Sequence, residues 1–213
     1  MVRSIGMLFA GTTVFAMLGA AGGTAPEDAV TTESQAQGRG QGRMNRAQVQ
    51  RMTSTWPKAS REAIAFLTNK YGAPAAMSSD MVVWGRTGPW KRTIVYRTEY
   101  QHNFPGPHTD VMQQWIDYRA PASSYDELGE YDGSVVMERT SGEMSARCDK
   151  EGANFLALNL ANDIVTGKRS VDEARKMYGE QIMAMKAGRP APYTARLLFT
   201  VSSGTADTDK PVM

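Results

Sequence analysis

In the middle of the chain apolar and polar residues alternate one by one, and toward the C-terminal end the spacing changes to three and four. In WKRTIVYRTEYQHNF (residues 90–104), Ile94, Tyr96, Thr98, Tyr100, His102 and Phe104 fall on one side. Val95, Arg97, Glu99, Gln101 and Asn103 fall on the other. Successive strand side chains point to opposite faces, so the pattern predicts a half-buried strand. HTDVMQQWIDYRA (108–120) reads as its return strand and MVVWGR (81–86) as the strand before it. A loop of Pro105, Gly106 and Pro107 keeps both prolines out of the ladder, where each would remove a hydrogen bond. That loop sets Phe104 opposite His108, His102 opposite Asp110, Tyr100 opposite Met112, Tyr96 opposite Ile116 and Ile94 opposite Tyr118. A slip of one residue would send the second strand's apolar set to the wrong face.

A second hairpin is predicted from SVVMERT and EMSARCD around a Ser141-Gly142 turn, pairing Val135 with Cys148, Met137 with Ala146 and Arg139 with Met144. Helical spacing appears in TWPKASREAIAFLTNKYG through Ala63, Phe66, Leu67 and Tyr71, with Pro57 suited to the first turn and Gly72 to the stop. SSYDELGEYD predicts a short helix. ANFLALNLANDIV carries a wide apolar arc that ends before Gly167. Ser170 and Glu173 form a capping box for a further helix with Ala174, Met177, Tyr178, Ile182 and Met185 as its stripe. TARLLFTV predicts one more strand.

The summed order is helix, antiparallel strands, then helices. It predicts an α+β fold: an antiparallel meander of about five or six strands, with an N-terminal helix and two C-terminal helices packed on one face. Strands and helices do not alternate, which excludes a doubly wound parallel sheet.

The N-terminus changes the picture. Arg3 precedes SIGMLFAGTTVFAMLGAAGG, an uncharged, mostly apolar run ending in small residues. Residues 1–22 therefore read as a signal peptide cleaved near Ala21, with an uncleaved membrane anchor as the alternative. Residues 23–54 are polar, then basic, and read as a disordered linker. The single folded domain is expected over residues 55–203, with a disordered tail over 204–213.

Composition adds less. The 213 residues are 41% hydrophobic and 22% charged with a formal net charge of +2, which is ordinary for a packed domain and too mild to point to nucleic acid. Cys148 is the only cysteine, so an exported chain would hold together by packing and not by an internal disulfide.

Candidate chemistry concentrates in YQHNFPGPHTD (100–110), which holds both histidines. The expected register brings His102 to Asp110 and leaves His108 at the turn. Imidazole beside carboxylate is the unit of a general base, and two histidines with an aspartate are three ligands for zinc with a fourth position open. The plainer reading is a buried histidine tied to Asp110. Cys148 is expected as a small buried hydrophobe. Asp149 or Asn154 is expected to cap the following helix. Trp84 and Trp90 are expected to pack across the first hairpin with Arg92 stacked on one of them. No phosphate loop, nucleophile elbow or dinucleotide fingerprint is present, and no cofactor is called for.

The sequence thus points to an exported, non-catalytic module, periplasmic or secreted, that binds a protein partner or a small ligand near a membrane. The alternatives are a metal-dependent or His/Asp-based hydrolase on His102, His108 and Asp110, and an accessory subunit of a membrane-associated complex.

Overall fold

The computed structural model describes residues 44–206 and 209–213. The expected export signal and most of the polar segment after it lie outside the described residues. Among those residues, no helix is long and apolar enough to cross a membrane.

Six antiparallel strands form one sheet: β1 (Ala76–Met77), β2 (Met81–Trp84), β3 (Arg92–His102), β4 (His108–Asp117), β5 (Val135–Glu138) and β6 (Glu143–Cys148). Their spatial order is β1-β2-β3-β4-β6-β5. Helices α1 (Arg46–Met52) and α2 (Lys58–Tyr71) precede the sheet, α3 (Tyr125–Tyr131) sits between β4 and β5, and α4 (Glu151–Val165) and α5 (Val171–Lys186) follow. The α+β meander and its two C-terminal helices match the sequence expectation.

Cross-strand rows explain which face the helices cover. Val82, Val95, Met112 and Cys148 form one row, and Trp84, Thr93, Gln114, Ala146 and Val135 the next. All are buried. Leu156, Leu158 and Leu160 of α4 pack into one core cluster with Ile116 and Met144. Ala63, Ile64 and Leu67 of α2 pack into a second with Val82, Val95 and Met112. Each such leucine contributes about 1.5–3 kcal/mol by leaving water. The clusters meet at Glu151, a buried carboxylate that accepts from Lys70, from Tyr71 at 2.6 Å, from Trp90 at 2.7 Å and from Gln114 at 3.4 Å.

Several local expectations are corrected. The β3–β4 pairs are Tyr100 with Asp110 and His102 with His108 at the tip, but Ile94 with Gln113 and Val95 with Met112 at the base. The tip loop therefore spans residues 103–107, with a cis Phe104–Pro105 bond. Between the two zones, residues 96–99 stand opposite Val111 alone. That surplus of three inverts the alternation, so Thr93 and Val95 face the helices at the base, not Ile94 and Tyr96. Ser60 Oγ donates to Tyr96 O at 2.7 Å and Arg97 N donates to Asp80 O at 2.8 Å, holding the bulge from both sides.

The second hairpin pairs Val135 with Ala146 and Met137 with Met144, two residues from the expected register. Its four-residue turn closes through Gly142 N donating to Arg139 O at 3.1 Å.

The linker reading stops short of Asn45. Asn45 and Gln48 form a capping box that starts α1, and Val49 is buried beneath it. The expected last strand is not a strand. Asn159 of α4 satisfies that backbone instead, donating to Tyr193 O and Arg196 O and accepting from Leu198 N. Within the expected tail Thr205 is anchored: it is buried and donates to Gly142 O at 2.6 Å, whereas residues 209–213 are exposed.

Trp84 and Trp90 also differ from expectation. Trp84 donates to Gly72 O, Trp90 stacks on Phe155, and Arg92 lies 4.3 Å over Trp115 instead. The cap of α4 is Lys150, with no side-chain bond. Asn154 is buried and donates to Met112 O and Gln114 Oε1.

Candidate functional site

The tip of the β3–β4 hairpin is seated against the helices by Phe104. Its ring lies 5.0 Å from Tyr178 and 6.3 Å from Tyr131, with the Arg175 guanidinium 4.0 Å from its centre. Seating the loop on three side chains fixes where His102 and His108 point.

Because His102 pairs with His108, their rings lie side by side, 4.9 Å apart and tilted by 49°. Asp110, two residues along, comes beneath both. Asp110 Oδ2 lies 3.4 Å from His102 Nδ1, and Asp110 Oδ1 lies 3.1 Å from His108 Nε2. The expected closeness of His102 and Asp110 is therefore present, reached diagonally and not as a direct pair. His108 is a full member of the cluster and not a bystander at the turn. One ligand atom from each residue falls within 4.8 Å of the other two. Zinc bonds of about 2.0–2.1 Å put tetrahedral donor atoms roughly 3.3 Å apart. Each imidazole nitrogen already has a carboxylate oxygen at about that distance, His102 at Oδ2 and His108 at Oδ1.

Each histidine has an outer partner. His108 Nδ1 is 2.9 Å from Gly106 O. His102 Nε2 faces Asp132 Oδ1 at 3.6 Å. Ser134 Oγ donates to Asp110 Oδ2 and lies 3.3 Å from His102 Nδ1. Asp132 is itself held by Ser134 N at 2.8 Å in an Asx turn. Sequence reasoning missed Asp132 and Ser134. The Asp132-Gly133-Ser134 turn was the available signal, but nothing in one sequence placed that turn beside the tip.

The electrostatics are those of a charged group kept half out of water. Its bond to the Asp110 carboxylate, with Cys148 and the Gly106 carbonyl adding to it, pushes the His108 pKa up to about 11 against the opposing effect of burial. Burial pushes the Asp132 carboxyl up. It also pushes the Cys148 thiol up, so Cys148 is no ready thiolate. Cys148 is buried as expected, but beside His108 and not in a purely apolar setting.

Asp110 is 1% exposed, and an imidazole nitrogen stands beside each of its oxygens. Among the described residues nothing but the His108 ion pair reaches Oδ1. A buried carboxylate set between two imidazole nitrogens is a donor set suited to a cation. No family model, curated protein or solved structure matches this chain.

Proposed function

We propose that the protein is a binding module for one divalent transition-metal ion of the zinc class. The ligands are His102 through Nδ1, His108 through Nε2 and Asp110 through its carboxylate, with a fourth position open. The observation that carries this reading is the outer shell. Metal-binding histidines usually give their other ring N–H to a carbonyl or carboxylate, which fixes the ring and its tautomer. His108 does this with Gly106 O, and His102 turns its far nitrogen to Asp132. Coordination would release the Nε2 proton of His108, as metal binding to imidazole generally does. The same proposal puts the module in the periplasm or outside the cell, on the strength of the apolar run over residues 4–23.

Zinc titration by calorimetry, with cobalt absorption as the geometric readout, tests the site. One ion per chain is expected, with a tetrahedral cobalt spectrum that Cys148→Ser leaves unchanged. The His102→Ala/His108→Ala double variant is expected to lose binding, and Asp132→Asn to weaken it about 10–100-fold, as outer-shell changes do. A chain that binds no ion, or binds it equally well without both histidines, sinks the reading.

A further inference from the structure

A cleft of about 610 Å³ lies between the hairpin tip and α5, and His108 lines it. Small-molecule sites have volumes of about 300–1,000 Å³, mostly apolar walls and a few placed polar groups. This cleft fits that description. Pro107, Ala153, Tyr178, Ile182 and Met183 give it apolar surface. Besides His108, its charged side chains are Lys150, Lys186 and Asp149. Lys150 is paired with Asp149, so Lys186 is left as the net positive charge.

Gly179 adds an independent observation. It lies within α5, where glycine is about 0.5–1 kcal/mol worse than alanine for the helix. A glycine inside a helix often admits a close neighbour. Here a Cβ at Gly179 would meet nothing within 4 Å among the described residues. Gly179 lines the cleft. What its missing side chain leaves is room.

The metal cluster faces the cleft through one residue. Around the rest of the cluster stand Asp132 and Ser134, Phe104, and Arg147, whose Nε is 3.8 Å from Asp110. His108 and its neighbour Cys148 form the boundary between cluster and cleft.

We infer that this cleft binds an amphipathic monocarboxylate, with its apolar body along Tyr178, Ile182 and Met183 and its carboxylate on the open position of the ion. The inference rests on the metal reading above and names the ligand class of that same site. An anion is favoured because the bound ion and Lys186 are both positive. One acidic group suffices, and the remaining surface is apolar.

Octanoate is the probe. It is titrated by calorimetry into zinc-loaded protein, into zinc-free protein and into a Gly179→Trp variant loaded with zinc. Gly179→Trp fills the open space without touching a metal ligand, and Gly179→Leu is the milder alternative if the larger side chain disturbs folding. Binding to the zinc-loaded protein is expected, at least about tenfold weaker without zinc and at least about tenfold weaker in the Gly179 variants, the size of a lost carboxylate contact or of several unburied methylenes. Zinc affinity in those variants should stay unchanged. Zinc binding without octanoate binding overturns the cleft assignment alone, and so does octanoate affinity that ignores the Gly179 change. Failure to bind zinc overturns both readings, and the separate zinc titration shows which has happened.

Discussion

Glu143 shows how a single side chain ties acid stability to the sheet. It accepts from Arg92 through both oxygens and lies 3.1 Å from Lys91. Those bonds, Arg92's first, hold its carboxyl below the ordinary glutamate range. A depressed folded pKa means stability that is present above about pH 4.3 and lost as pH falls through the folded value. Glu143→Gln should therefore lower stability at pH 7, and its difference from the parent should shrink toward pH 2–3. Urea midpoints at pH 7 and pH 3 check this, and a constant difference would contradict it. At this scale the site was partly legible. His102, His108 and Asp110 share one short stretch, so local geometry alone brought them together. Asp132 and Ser134 arrive from the turn between α3 and β5, 24 residues past Asp110 in the case of Ser134, and no local pattern announces them.

Elements were legible where their signals are self-contained. The Ser170–Glu173 box caps α5 as its sequence says. Ser170→Ala should cost about 1 kcal/mol, seen as a lower thermal midpoint without loss of cooperativity. The Asn45–Gln48 box is the same device, but the basic residues around it mask a helix whose burial rests on Val49. Registers failed for a different reason. Both hairpins are displaced by two residues at the tip because their loops are longer than the shortest allowed, and a shift of two keeps every side chain on its face. Alternation therefore cannot detect it. The lost last strand is an override of local preference by Asn159. Its amide holds three backbone groups that a sheet neighbour would otherwise hold. Asn159→Ala should free residues 192–201 to early proteolytic cleavage while the rest of the domain resists. Unchanged cleavage there would show that Leu197, Phe199 and Val201, packed on the core, suffice without it.

For the whole molecule, the fold class followed from the order of periodicities, because one covered sheet face needs helices before and after it. Its closure did not follow. The C-terminal segment locks onto the β5–β6 turn at Gly142, whose φ is +59° and whose absent Cβ would stand 2.0 Å from Thr205 O. Arg119 adds bonds to the carbonyls of Gly204, Thr205 and Ala206. Gly142→Ala is strained twice, in backbone and in contact, and should displace this segment. Faster amide exchange at Tyr118, whose N–H bonds Gly142 O, is the expected readout.

The bulge in β3 has a consequence for how the chain can change length. Base and tip of the hairpin are each held by their own contacts, and the residues between them, Arg97, Thr98 and Glu99, are exposed. Removing Thr98 should shrink the loop-out and leave Val95 against Met112 and His102 against His108. The hairpin thus has a slack segment in which insertions and deletions are absorbed. Deleting Thr109 from β4, which has no such slack, would turn Asp110 to the face opposite His108.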